Sequence, residues 1–165
     1  MLLKPEIKLR GITDITVELL IENNIKALLL DIDNTMSTHH GTILTDGLLE
    51  WIKYMQDNGI KLMVLSNSKR FRVEPFAARI GLPFISSGCK PLPMGYLRGV
   101  KALGEKRKNT AIVGDQIFTD VLGGNVVGVK TILLTPIKPE DGWSFKLRRK
   151  LEKKLYKKYN LTDEV

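Results

Sequence analysis

Five short apolar runs recur along the chain, separated by stretches with helical spacing of their apolar residues. The runs are "KALLLDI" (26–32), "IKLMVLSNS" (60–68), "PFISS" (83–87), "TAIVGD" (110–115) and "VKTILLT" (129–135). Between the first two, Leu48, Leu49, Ile52 and Met55 predict a helix from Asp46 to Asn58, closed by Gly59. A second helix is expected over 72–81 and stops at Gly81, with Pro75 limiting how early it can start. A third is expected from Met94 to Leu103, and a short glycine-loosened one from Asp120 to Val127. Strands alternating with helices require crossover connections, and these produce a parallel sheet covered on both faces. The expected fold class is therefore α/β, a Rossmann-like parallel sheet of about five strands with helices on both faces.

A chain of 165 residues can bury a real core and is read as one domain over 1–165, with its core at about 26–135. No apolar run approaches the ~20 residues of a membrane span. The opening "MLLKPEIKLRG" lacks the features of a secretory signal. Cys89 is the only cysteine, so neither an intrachain disulfide nor a cysteine-cluster zinc site can form; it is expected to serve packing. These features lead to the expectation of a cytoplasmic protein.

In parallel sheets of this kind, ligands sit outside the carboxyl ends of the strands. The polar residues that end the apolar runs are Asp31 and Asp33, then Ser66 and Asn67, then Lys90, then Asp115. They are expected to meet in one cluster. Asp31 and Asp33 stand one residue apart, and two anions that close repel and resist desolvation. A cation or a reaction must compensate them. A calcium loop uses oxygens at alternate positions, but needs glycine at its sixth and glutamate at its twelfth position. Met36 and Thr42 stand there instead. A solvated turn is the plainer reading of an isolated Asp pair, but this pair is followed by three further signals in order.

Taken together, "DIDNT" (31–35), Ser66 in "LSNS", Lys90 in "GCKP" and "GDQIFTD" (114–120) resemble the four motifs of the haloacid-dehalogenase superfamily of phosphatases. The wording around them is similar to the YqeG-type branch of subclass IIIA, itself similar to phosphatidylglycerophosphate phosphatases. The resemblance implies a nucleophile at Asp31, an acid/base at Asp33, and a metal held by Asp31, Asp115 and the backbone carbonyl of Asp33. Hard oxygen ligands beside phosphate favour Mg²⁺. Ser66 and Lys90 would contact the phosphate, and Asn67 would assist there. Thr35 would fix the first loop. Asp120 would orient metal waters or cap the following helix, and Gln116 could stand near the metal or on the surface. Ten residues, "MSTHHGTILT" (36–45), separate the first motif from the next helix, too short a connection for a cap domain. An open, capless site suits a bulky substrate; His39 and His40 in that loop would touch substrate or stay solvated.

Net charge is +8, and it is concentrated. Residues 145–160 hold eight Lys or Arg and one acid, leaving 18 basic and 17 acidic residues elsewhere. Trp143, Leu147, Leu151, Leu155 and Tyr159 recur at steps of four, predicting a basic amphipathic helix over about 143–160. That helix could dock its stripe on the core, bind an anionic membrane surface, or bind RNA. The leading expectation is a Mg²⁺-dependent phosphomonoester phosphatase acting through an aspartyl-phosphate on phosphatidylglycerophosphate, peripheral at the inner membrane face. The alternatives are a soluble sugar-phosphate or nucleotide phosphatase, a nucleic-acid 3′-phosphatase, and a non-catalytic RNA- or ribosome-associated binding protein.

Overall fold

Successive residues of the central strands face opposite sides of one sheet, and both sides are apolar. In the computed structural model, which describes residues 1–38, 43–138 and 141–161, the strands are β1 (Ile7–Leu9), β2 (Ala27–Leu30), β3 (Lys61–Leu65), β4 (Phe84–Ile85), β5 (Thr110–Gly114) and β6 (Lys130–Leu134). The helices are α1 (Val17–Glu22), α2 (Leu48–Asp57), α3 (Arg70–Ile80), α4 (Pro93–Leu103), α5 (Leu122–Val127) and α6 (Trp143–Lys158). Leu28, Leu30, Leu62, Val64 and Val113 pack with Leu20 of α1, Trp51 and Met55 of α2 and Phe76 of α3. Leu29, Met63, Leu65 and Ile112 pack on the other face with Tyr96 and Val100 of α4 and Val127 of α5. Each fully buried Leu, Ile or Val contributes about 1.5–3 kcal/mol relative to exposure, so the alternation fixes the register of every central strand.

All pairings are parallel, in the order β1-β6-β5-β2-β3-β4. The sheet thus has six strands, one more than the sequence reading. The extra strand, β1, lies at an edge, where three residues pair with Ile132, Leu133 and Leu134. A three-residue, half-buried edge strand carries too little hydrophobic pattern to stand out. From β2 the chain adds β3 and β4 on one side, then returns to place β5 and β6 on the other. The order reverses between β2 and β5, and this topological switch point opens a crevice at the carboxyl ends of those strands.

Two local differences also have physical causes. Helix α3 begins at Arg70 and carries Pro75 in its interior, earlier than its proline suggested. Pro75 lies on the solvent side, Arg70 makes two hydrogen bonds to Glu74 at 3.0 and 3.1 Å, and Val73, Phe76, Ala77 and Ile80 are buried, which together offset the missing backbone bond. The early start matters because it places Arg72. Before α5, a π-helical turn spans Ile117–Val121, so Asp120 belongs to that turn and is not the cap of α5.

The helix α6 docks on the protein, but only part of the stripe faces inward. Leu155 and Tyr159 pack with Ile117, Val121, Leu133 and Leu161, whereas Trp143 is 80% exposed and Leu147 and Leu151 are each 45% exposed. A step of four residues advances about 40° beyond one turn, so across four steps the stripe drifts roughly 160° and its two ends face different sides. The docked face comprises Phe145, Arg148, Arg149, Glu152, Leu155, Tyr156 and Tyr159. Among the described residues, no helix is long and apolar enough to cross a membrane.

Candidate active site

A cavity of about 580 Å³ opens at the switch point, lined by Asp31, Asp33, Ser66, Asn67, Lys90, Gln116 and Arg148 among others. Each of the first five arrives there at or beyond the end of a strand, as the strand-end rule requires. Between β2 and α2 the described residues form turns and isolated bridges, with no further folded element over the cavity. His39 and His40 lie outside the described residues.

Asp31 follows β2, and its amide is held by the Val113 carbonyl of β5 at 2.9 Å. Its Oδ1 lies 2.9 Å from the Lys90 ammonium, which also contacts Asp120 Oδ1 at 2.6 Å. Burial pushes the Asp31 carboxyl up to about 7 against the opposing pull of Lys90. For Lys90, burial alone would lower the ammonium, but Asp120 and Asp31 outweigh it and the net shift is upward. The lysine is therefore charged and belongs to both carboxylates.

Asp120 reaches this position because Gly114 ends β5: a Cβ there would overlap the Asp120 carboxylate. The other Asp120 oxygen accepts from the Gln116 amide at 3.2 Å. The loop carrying Lys90 is fixed by Asn67, whose Nδ2 donates to the Lys90 carbonyl at 3.0 Å and whose Oδ1 accepts from the Lys90 amide at 2.6 Å. Ser87 and Cys89, on either side of Gly88, adopt left-handed φ values of 48° and 55°. Such conformations cost on the order of 1 kcal/mol or more each, and they persist where surrounding bonds over-determine the backbone. Cys89 is exposed rather than packed, its thiol reaching only the Ser87 carbonyl of the same loop, at 3.4 Å, among the described residues.

Asp115 is fully buried, and Arg149 of α6 grips it through Oδ2 and through its backbone oxygen at 3.0 Å. Burial pushes its carboxyl well above the usual range, partly offset by Arg149. Its Oδ1 is buried and has no hydrogen-bond partner among the described residues. Carboxylate oxygens of Asp31, Asp115 and Asp120 all lie within 4.8 Å of one another. Three hard anionic donors around an orphaned oxygen fit a hard divalent cation. The sequence reading expected Asp31 and Asp115 in this set but left Asp120 between two other roles; tertiary structure makes it a direct member of the cluster.

Asp33 turns elsewhere. Arg72 of α3 clamps both of its oxygens, one at 2.9 Å, and also donates to Ser68 Oγ at 2.5 Å. The Asp33 pair raises Arg72 further above its already high value, burial opposing. The Ser66 hydroxyl accepts from the Ser68 amide at 3.1 Å and remains on the cavity wall. Thr35 is buried, but its hydroxyl has no partner among the described residues, and the turn is tied by the amides of Thr35, Met36 and Ser37, which donate to Ile32 O at 3.3, 3.0 and 3.2 Å. Gln116 lies on the wall and accepts from Arg148 at 2.6 Å.

The sequence reading missed Arg72, Arg148, Arg149 and Glu152. Glu152 is buried in α6, accepts from the Ile117 amide at 2.8 Å and pairs with Arg149 at 2.8 Å. A lone acid within a basic segment was the available signal: Glu152 is the one acidic residue among residues 145–160.

The family model for haloacid dehalogenase-like hydrolases matches residues 36–128. The probable phosphatase YqeG of Bacillus subtilis is 36% identical over 151 residues, covering 92% of this chain and 88% of that protein. The mitochondrial phosphatidylglycerophosphatase GEP4 of Saccharomyces cerevisiae is 28% identical, covering 94% of this chain and 88% of that protein. Among solved structures, 4-nitrophenylphosphatase from Thermotoga maritima superposes with a TM-score of 0.60 at 12% identity, covering 77% of this chain and 91% of that chain, a likeness of fold.

Proposed function

Because the chain belongs to the haloacid dehalogenase-like hydrolases, we propose that it is a divalent-metal-dependent phosphomonoesterase in which Asp31 is the nucleophile. The observation that carries this reading is the 2.9 Å contact of Asp31 with Lys90 at the switch point, beside the Asp31, Asp115 and Asp120 oxygens. Asp31 attacks phosphorus, the ester oxygen departs with a proton from Asp33, and an aspartyl-phosphate forms. Water then attacks that phosphorus while Asp33 takes its proton, and orthophosphate leaves. Lys90 and Ser66 face the equatorial oxygens, with Asn67 holding the Lys90 loop in place.

Asp31, Asp115 and Asp120 would hold the metal, with the Asp33 backbone carbonyl as a further ligand; Mg²⁺ is the ion these oxygens and a phosphate suit best. When bound, it would supply positive charge to the phosphoryl oxygens and neutralise the carboxylates. In this structure both Asp33 oxygens are occupied by Arg72. Donation in the first half requires that clamp to open, and Arg72 is half-buried at the cavity wall, where a substrate can compete for it.

The substrate we propose is phosphatidylglycerophosphate, met at a membrane surface. The GEP4 relative is named for that activity, and three features of this chain support it. The cavity is uncapped among the described residues. The outer face of α6 presents Trp143, Leu147 and Leu151 among the exposed Lys146, Lys150, Lys153, Lys154, Lys157 and Lys158. Basic residues near an anionic surface contribute up to about 1 kcal/mol each, and exposed aromatic and leucine side chains anchor such a helix in the interface. Finally, Phe145 and Arg148 of the same helix line the cavity, so binding would bring the cavity wall to the lipid.

The test is an activity panel with and without Mg²⁺, comparing phosphatidylglycerophosphate in mixed micelles with soluble sugar phosphates, nucleotides and 3′-phosphorylated oligonucleotides. Metal-dependent turnover preferring the lipid supports the proposal. Preference for a soluble ester would retain the mechanism and reject the lipid, and tight RNA binding without turnover would reject both.

A further inference from the structure

The charges on the cavity wall do not balance, and the imbalance falls on one residue. Three cations of the described residues line it: Lys90, Arg72 and Arg148. Lys90 is taken by Asp31 and Asp120, and Arg72 by Asp33. Among the described residues, Arg148 donates only to a neutral group, Gln116 Oε1 at 2.6 Å, and stacks on the Phe145 ring with its centre 5.5 Å from the ring centroid. Glu152 is near enough to feel its charge, but the two Glu152 oxygens are occupied by the Ile117 amide and Arg149.

This guanidinium is held in place on two sides. Gln116 Oε1 also accepts from Thr119 at 3.3 Å, which orients the amide, and Phe145 supports one face of the guanidinium. A planar guanidinium has five N–H donors, and a single donor bond leaves most of the fork available. A fixed, half-buried arginine that faces the cavity, with no carboxylate bonded to it among the described residues, is suited to an anion that arrives with a ligand. The scissile phosphate does not need it, since Lys90, Ser66 and a metal already serve that group in the reading above. A cavity of about 580 Å³ also holds much more than one phosphate.

We infer that Arg148, set by Gln116 and Phe145, forms an anion subsite for a second negatively charged group on the substrate, such as a phosphodiester a few bonds from the scissile phosphomonoester. This rests on Asp31 marking where the phosphomonoester sits. The helix that carries the basic tail thereby contributes directly to substrate choice.

The experiment uses the full chain carrying Asp31→Asn, so that ligands are bound without turnover. Calorimetry compares the water-soluble glycerophosphoglycerophosphate head group with glycerol 3-phosphate and orthophosphate, before and after adding Arg148→Gln. The expected result is that the preference for the head group over glycerol 3-phosphate falls by about ten- to a hundredfold, the range for losing a charge-assisted hydrogen-bonded pair. Arg148→Lys should restore part of it. If Arg148→Gln weakens all three ligands by one common factor, Arg148 grips the phosphomonoester itself and the subsite is overturned; no change in any of them overturns it equally. A sugar bisphosphate bound as tightly as the head group would still support the subsite and identify a soluble source for the second anion. Wild-type protein that turns over no ester would defeat the phosphatase reading, while the calorimetric ratio would still decide the subsite.

Discussion

Arg149 of the last helix donates to both a side-chain and a backbone oxygen of Asp115, the buried carboxylate that follows β5. The contact spans 34 residues of sequence and couples the basic tail to the carboxylate cluster of Asp31, Asp115 and Asp120. It also leaves Asp115 Oδ1 without a partner among the described residues.

Replacing Arg149 by Ala should therefore be costly. It would strand Asp115 and Glu152, both nearly fully buried, without their cation. Breaking a buried pair typically costs about 3–5 kcal/mol, and Arg149, which keeps about a fifth of its side chain exposed, should fall toward the lower end. Urea unfolding measures this directly, with Lys53→Ala, which removes an exposed pair, as a reference expected within about 1 kcal/mol of wild type. Equal losses for the two variants would show that the Arg149 contact contributes no special stability.

Two substitutions address the proposed chemistry. Asp31→Asn should abolish hydrolysis of a simple aryl phosphate while leaving the far-ultraviolet spectrum unchanged. Lys90→Met should lower kcat by about 10²–10³-fold, the usual effect of removing one electrostatic stabiliser. Full activity in the Asp31 variant would refute its role as nucleophile.

Metal binding should depend on pH with a definite sign. Burial raises Asp31 to about 7 and raises Asp115 well above the ordinary range. For a carboxylate raised on folding, the native state binds the extra proton, so its contribution to metal-free stability is full below about pH 4 and is lost as pH climbs through about 7. A divalent cation binds the ionised form and competes with that proton. The rise in Tm produced by saturating Mg²⁺ should consequently be larger at about pH 8 than at about pH 5.5. A rise independent of pH, measured by scanning calorimetry, would mean that the ion binds elsewhere.

Membrane contact can be tested without disturbing the site, because the exposed stripe and the docked face of α6 are different surfaces. Deleting the helix would be uninformative, since Arg149 and Glu152 would leave with it. Changing Trp143, Leu147 and Leu151 together to Ser should instead reduce sedimentation with anionic vesicles by at least about tenfold, with Tm little altered. Undiminished vesicle binding would remove the stripe from the account.

The amino-acid sequence determined the elements whose physics is local. Apolar runs of four or five residues ending in Asp31, Ser66 and Asp115 specify buried parallel strands, and the strand-end rule then brings those residues together. It also carried the family resemblance, because the motif residues sit at short, fixed offsets from strand ends. What it could not determine were the partners. Whether Asp33 faces a substrate or Arg72 depends on where α3 begins, and that depends on packing and an ion pair overcoming a proline. Asp120 could not be told from a helix cap until the π-helical turn placed it against Gly114 and Lys90. The tail read as one slowly drifting stripe, whose roughly 40° per step turns its two ends to different sides, and only docking against Ile117, Val121 and Leu133 selected the inward one. Periodicity is written along the chain within a few residues, whereas the pairing of Arg149 with Asp115 depends on the sum of many weak contacts that no local pattern records.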